Sequence, residues 1–314
     1  MPAADSQLAS SVLMIRPARF ESNPMTAESN VFQGRTRATR GEQQAAALRE
    51  FDTLVNALRA EGINVVVVED TPEPHTPDSI FPNNWVSFHE NGDIAKYPMF
   101  AENRRRERRD EVFIRLESEG FIIENLVDYT TAENEGIFLE GTGSILMDRT
   151  NSFAYCALSP RADEDLFIEF CEDFEYSPVI FTAFQNVNEK RMPIYHTNVM
   201  MALAEKFAVI CLDSIDNKKE RKEVTATLRR SGKQIIEITE AQMHQFAGNM
   251  LQVLGADEKK YMVMSKAAHD CLTPEQIAAI NKHCEILSSD LTTIETCGGG
   301  SARCMMAEVF LPKK

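Results

Sequence analysis

A chain of 314 residues with 33 basic and 48 acidic side chains carries a formal charge of −15, which disfavours nucleic acid and anionic membranes as partners. Its 43% hydrophobic content supplies a core, while no apolar run reaches membrane-spanning length and the opening MPAADSQLASSVLMIRP lacks the charged and apolar regions of a leader, so a cytoplasmic protein is expected. Seven scattered cysteines without Cys-x-x-Cys spacing suggest neither a disulfide framework nor a zinc site.

In chain order, residues 11–15 read as a strand. Residues 16–42 lack a clear period, contain Gly34 and Gly41, and are expected to form a loop covering the site. A helix over 43–60 follows from Ala47, Leu48, Phe51, Leu54, Val55 and Leu58 at helical spacing, with Gly62 just past its end. The apolar run 63–68 is a strand. Next come a hairpin of 85–88 and 94–97 around Asn91-Gly92, a charged helix over 103–119 and a strand at 121–123. The arginine-rich start of that helix (Arg104, Arg105, Arg106, Arg108, Arg109, broken by Glu107) is expected to be solvated rather than an anion site. The same order recurs three times. Strands 144–147 and 153–157 precede a helix from 163 and a strand at 179–181. Strands 199–203 and 207–212 precede a helix over 219–231 and a strand at 234–238. Strands 250–254 and 261–264 precede a helix over 274–283 and a strand at 286–293. A last strand, 305–311, needs 11–15, the 43–60 helix and 63–68 to complete a fifth unit.

Each unit begins after a turn-like segment: Pro82-Asn83-Asn84, Glu140-Gly141-Thr142-Gly143, Tyr195-His196-Thr197-Asn198, Ala247-Gly248-Asn249 and Ser301-Ala302-Arg303-Cys304. The matching positions Asn84, Glu140, His196, Asn249 and Cys304 recur about every 55 residues. A fifth copy split between the two ends is what ring closure requires. The expected fold is therefore one α/β domain, 1–314: a pseudo-fivefold α/β propeller of five strand-strand-helix-strand units closed by the two termini.

Chemistry falls on the same phase. Cys304 follows Cys297 and three glycines, Gly298 to Gly300, which suits a nucleophile on a tight loop with amides free to face an oxyanion. His196 is the natural acid–base partner of a thiol. Glu140, if buried, needs a partner, and an imidazole satisfies it. An amino-acid substrate also needs a cation for its carboxylate. Arg303 is the best candidate, ahead of Arg16, Arg19, Arg35 and Arg37, and a guanidinium beside Cys304 would also favour a thiolate. Asn30 and Gln33, in the expected cover, are candidate substrate contacts. Asn249 has no evident role.

The ordered set PDSIFPNNWVSF, LEGTGSILMD, YHTNVMM and GGGSARCMMAE resembles the guanidino-group modifying enzymes of the pentein superfamily across essentially the whole chain, and within them the arginine deiminase-related, amidinotransferase-like proteins linked to citrulline use. The resemblance implies a fivefold α/β propeller and a cofactor-free, metal-free hydrolase of C–N bonds acting on a small amino-acid-like substrate; association with further copies of the chain is left open. It implies Cys304 as nucleophile, His196 as proton carrier, Glu140 as its orienting carboxylate and Asp78 as a substrate contact. Many relatives that act on guanidinium carry aspartate where Asn84 and Asn198 stand. An amide offers a donor as well as an acceptor, so a neutral, citrulline-like ureido substrate is expected, giving ornithine, CO2 and ammonia. The alternatives are an arginine deiminase-like hydrolase, an amidinotransferase, and a non-catalytic binding protein, which ought to lack the Glu, His and Cys.

Overall fold

A computed structural model describes residues 6–27, 30–34 and 36–314. It contains five three-stranded sheets built to one plan: a first strand runs antiparallel to a middle strand, which runs parallel to a third. In chain order the triplets are Val86–Phe88, Asp93–Lys96 and Asn125–Asp128; Ile145–Asp148, Phe153–Leu158 and Ser177–Thr182; Met201–Leu203, Phe207–Ile210 and Gln234–Glu237; Leu251–Leu254, Lys260–Ser265 and Glu285–Ser289. The fifth sheet draws on both ends of the sequence. Ala307–Glu308 pairs antiparallel with Ser11–Arg16, which pairs parallel with Asn64–Glu69.

A parallel pair needs a crossover, and here each crossover carries a helix: Asp110–Ser118, Glu164–Asp173, Lys218–Arg230, Pro274–Asn281 and Arg40–Ala60. The last begins at a Thr39–Glu42 capping box and buries Ala47, Phe51, Leu54, Val55 and Leu58 on one face. First strands of successive units also touch: Ile145–Asp148 meets Met201–Leu203, which meets Leu251–Leu254, and Val86–Phe88 meets Ala307–Glu308. Among the described residues, no helix is long and apolar enough to cross a membrane.

The structure departs from expectation in five places, one of them the last strand, which is only Ala307–Glu308 instead of 305–311. The charged segment is split into a 3-10 helix, Glu102–Glu107, and the helix Asp110–Ser118. The third strand of that unit is Asn125–Asp128, while Phe121 makes only an isolated bridge to Lys313. The strand expected over 286–293 stops at Ser289 and gives way to a helix, Thr292–Gly298. An unanticipated hairpin, Phe184–Val187 with Lys190–Pro193, lies between the second and third units.

Candidate active site

Three of the five turn-like segments ahead of the first strands are single helical turns, Pro82–Asn84, Gly141–Ser144 and Thr197–Met200, while those at Asn249 and Cys304 are non-helical turns. All five matched residues are buried. Asn84, His196 and Cys304 line one cleft with Asp78, Arg104 and Arg161, while Glu140 and Asn249 stand directly behind His196 and Cys304. A wider surface groove near Asp128, Glu135, Asp163 and Glu169 presents neither a histidine nor a cysteine.

Glu140 is fully buried. Its Oε2 accepts from His196 Nε2 at 2.6 Å and from Arg161 Nη1 at 3.4 Å, and its Oε1 accepts from the Phe100 N–H at 3.0 Å. Burial alone would push this carboxyl up, but Arg161, His196 and Arg104 outweigh it and hold it well below the ordinary range. Burial also lowers His196, against the opposing pull of Glu140. The pair therefore rests as a carboxylate beside a neutral imidazole whose Nε2–H donates to Glu140, leaving the Nδ1 lone pair for other work. Gly143 makes this possible. A Cβ there would stand 2.9 Å from His196 Nδ1 and collide with Asn84 Nδ2.

Arg104 organises the opposite wall. Its Nε and Nη2 each lie 2.9 Å from a Glu107 carboxylate oxygen, and its Nη1 donates to Asn84 Oδ1 at 2.9 Å. Asn84 Nδ2 is buried with no partner among the described residues. Asp78 accepts from Asn23 Nδ2 at 2.7 Å through Oδ2, while its buried Oδ1 has no partner among the described residues. Burial raises Asp78, with Arg104 opposing, and burial likewise pushes Glu107 up to about 7.

Cys304 sits on a segment pinned from three sides. Asn249 Oδ1 accepts the N–H of Arg303 at 3.1 Å and of Cys304 at 3.4 Å. The glycine loop is drawn against Phe81, whose ring a Cβ at Gly298 or Gly300 would strike at 2.8 Å. Asn30 Nδ2 donates to the carbonyls of Gly298 and Gly299, each at 3.3 Å, and Tyr195 Oη donates to Gly299 O at 3.1 Å. The Gly299 N–H, expected to face an oxyanion, instead closes the preceding helix on Glu295 O at 2.9 Å.

The cleft thus brings together Cys304, His196, Asp78, Asn84 and Asn30, with Glu140 behind the imidazole and Asn198 Nδ2 at 3.6 Å from Cys304 Sγ. It does not bring in Arg303, whose guanidinium turns away to Glu308 Oε2 at 2.7 Å and Met306 O at 2.9 Å. Arg16 is paired with Asp52, Arg19 with Glu73, Arg37 is exposed, and Arg35 lies outside the described residues. Among the described residues the cleft cations are Arg104 and Arg161, which sequence reasoning missed. Arg104 is buried rather than solvated; the Glu107 three residues on was its only signal. Arg161 lies over the Tyr195 ring at 4.8 Å, and nothing in the loop Ser159-Pro160-Arg161 announces it. The remaining cysteines are unpaired, and burial raises Cys156, Cys171, Cys211, Cys271, Cys284 and Cys297. Among the described residues no cluster suited to a metal ion occurs.

Comparison with known proteins adds a family. The model of the family described as N,N dimethylarginine dimethylhydrolase, eukaryotic, matches residues 16–311. No curated protein matches the sequence. Among solved structures, ArgZ, an arginine dihydrolase of the ornithine-ammonia cycle in cyanobacteria, superposes with a TM-score of 0.70 at 16% identity over 97% of this chain. A variant of AgrE in complex with L-arginine gives 0.70 at 16% over 97%. This chain covers 41% of that ArgZ chain and 40% of that AgrE chain. A variant dimethylarginine dimethylaminohydrolase carrying an adduct with S-methyl-L-thiocitrulline gives 0.62 at 16% over 96% of this chain and 99% of that one. At such identities these likenesses establish a common mixed α/β fold.

Proposed function

The chain belongs to the N,N dimethylarginine dimethylhydrolase family of pentein guanidino-modifying enzymes, hydrolases of C–N bonds other than peptide bonds, and from that premise we propose that it cleaves the ureido group of a citrulline-like amino acid. The observation that carries this is the orientation of Asn84. Because Arg104 donates to Oδ1, the amide must present Nδ2 as a buried donor lacking an acceptor. A guanidinium has only N–H donors to offer there, whereas a ureido oxygen accepts. Asn198 is complementary: Nδ2 points to Cys304 Sγ and Oδ1 is a buried acceptor without a partner, suited to a ureido N–H. The unpartnered Asp78 Oδ1 is a further acceptor, and a carboxyl raised by burial tolerates a neutral ligand better than it would in water.

In this mechanism His196 Nδ1 takes the Cys304 thiol proton, and the sulfur attacks the ureido carbon. The C–N bond to the amino-acid side chain breaks, and His196 returns the proton to the leaving amine, releasing ornithine or its analogue. Water, deprotonated by His196, then attacks the S-carbamoyl carbon. The thiol is regenerated, and the carbamate released decomposes to CO2 and ammonia. Glu140 stabilises the imidazolium formed in each half. Arg161 is the cleft cation proposed to meet a substrate carboxylate, Arg104 being held by Glu107 and Asn84. No cofactor is invoked.

The same reading takes the five units as blades of one closed propeller over 1–314, supported by the sheet shared between the two ends. It takes 16–42 as the cover, supported by the bonds of Asn30 to the glycine loop, and the cytoplasm as the compartment, supported by seven unpaired cysteines. Hydrolysis of a guanidino group is the alternative, favoured by the L-arginine of the AgrE complex. Purified protein offered citrulline or arginine, with ornithine and ammonia quantified, separates the two. Ornithine from citrulline is expected, and turnover of arginine alone would sink the ureido assignment. Cys304→Ala is expected to abolish turnover, and added amines are expected to yield no transfer product.

A further inference from the structure

Asn249 occupies the fourth matched position and has every polar site of its side chain engaged. Oδ1 accepts the Arg303 N–H at 3.1 Å and the Cys304 N–H at 3.4 Å; Nδ2 donates to Asn198 O at 3.0 Å and to Cys304 Sγ at 3.2 Å. The amide cannot be reversed, since that would set NH2 against two N–H donors and Oδ1 against a carbonyl. An N–H is therefore fixed on the sulfur by a residue that also holds the backbone of the same cysteine. Asn198 Nδ2 stands farther away, at 3.6 Å. A donor held in this position binds a thiolate more strongly than a thiol, because hydrogen bonds to an ionised acceptor are the stronger kind.

We infer that Asn249 is a catalytic residue, which stabilises the Cys304 thiolate as His196 takes its proton, by direct N–H donation to Sγ. The inference rests on Cys304 as the nucleophile but not on the identity of the substrate. Its competitor is a fastening role confined to the backbone. Asn249→Asp keeps an oxygen for the amides of Arg303 and Cys304 and removes the donor on sulfur, but its charge by itself also disfavours a thiolate, so the uncharged Asn249→Ser is the variant that separates the two.

The experiment is alkylation of the full chain by iodoacetamide between pH 5 and 9, with modification at Cys304 read by peptide mass and folding checked by circular dichroism. The other charged and titratable groups of the cleft, Asp78, Arg104, Glu140, Arg161, Tyr195 and His196, are common to parent and variants. Asn249→Asp is expected to slow alkylation at pH 6.5 by about 10- to 100-fold and to move the half-maximal rate up by about 1–2 pH units, with the rate recovering at pH 9. Asn249→Ser, smaller and uncharged, is judged by the same pH displacement and covers failure of the aspartate variant to fold. A pH profile unchanged from the parent in either folded variant overturns the inference. Turnover that survives in Cys304→Ala would instead refute the nucleophile assignment while leaving the alkylation result to stand or fall separately.

Discussion

Gly143 is the residue on which both walls of the cleft depend. Adding one methyl group would drive His196 and Asn84 apart from their partners without touching the outer packing. Gly143→Ala is therefore expected to lower kcat/KM by at least about 100-fold while costing about 1–3 kcal/mol of stability, the usual penalty for an overpacked interior. Steady-state kinetics beside a thermal melt checks this, and near-parental activity would show that the wall yields. Asn84→Asp tests the orientation argument. A carboxylate accepts from Arg104 as well as the amide does but offers no donor, so citrulline turnover should fall steeply; unchanged turnover would count against Asn84 as the ureido donor. That Cys304, His196 and Glu140 come together was legible because type and phase agreed. Arg303 misled because adjacency in sequence says nothing about direction: the Cys304 sulfur faces Asn249, while the neighbouring guanidinium reaches back to Glu308. Arg104 was hidden because its burial depends on a 3-10 turn and on Glu107, not on an apolar pattern.

At the level of single elements, the helix Thr292–Gly298 is the instructive case. Leu291, Thr292, Thr293 and Ile294 have strand-like character, and the sequence reads as a continued strand. The chain turns helical because Glu50, from the helix Arg40–Ala60, accepts the free N–H groups of Thr293 at 2.8 Å and Ile294 at 2.9 Å, a cap supplied from about 240 residues away that no local pattern encodes. Inside this helix Glu295 accepts from Ser301 Oγ at 2.6 Å, just ahead of Cys304. Burial pushes its carboxyl up to about 7, with Ser265 and Ser301 opposing and Glu50 and Asp290 adding to the rise. Below the unfolded value near 4.5 the group is neutral in both states. Between there and about 7 the unfolded chain ionises first, so stability falls as pH rises, by up to about 3 kcal/mol, and the loss persists at higher pH. Glu295→Gln, which keeps an acceptor for Ser301, should thus gain stability over the parent between pH 5 and 8. Urea melts at the two pH values measure the gain, and equal differences at both would contradict it.

Across the whole molecule, the repeat was legible because it is carried by periodic apolar strands, and three of the five triplets fall where the pattern puts them, the first unit's third strand lying at Asn125–Asp128 instead of 121–123. The final strand was overestimated: the expected 305–311 shrinks to Ala307–Glu308. Its follow-on residues instead tie two units together, through the Ile122 N–H to Pro312 O at 2.8 Å, the Lys314 N–H to Gly120 O at 3.0 Å and Lys313 over the Phe121 ring. Removing residues 312–314 should cost about 1–3 kcal/mol and lower Tm by several degrees while leaving kcat intact. An unchanged Tm would mean these bonds merely exchange with water.

The fifth sheet has a temporal consequence. Ser11–Arg16 is made early, yet it waits for Ala307–Glu308 to become the middle of its sheet, and Cys304 arrives only three residues before that partner. Of all the side chains in the cleft, the sulfur is the last to leave the ribosome. On the proposed mechanism the nascent chain would hold its acid–base pair and its amides before its nucleophile, so reactivity would come only as Ala307–Glu308 joins Ser11–Arg16.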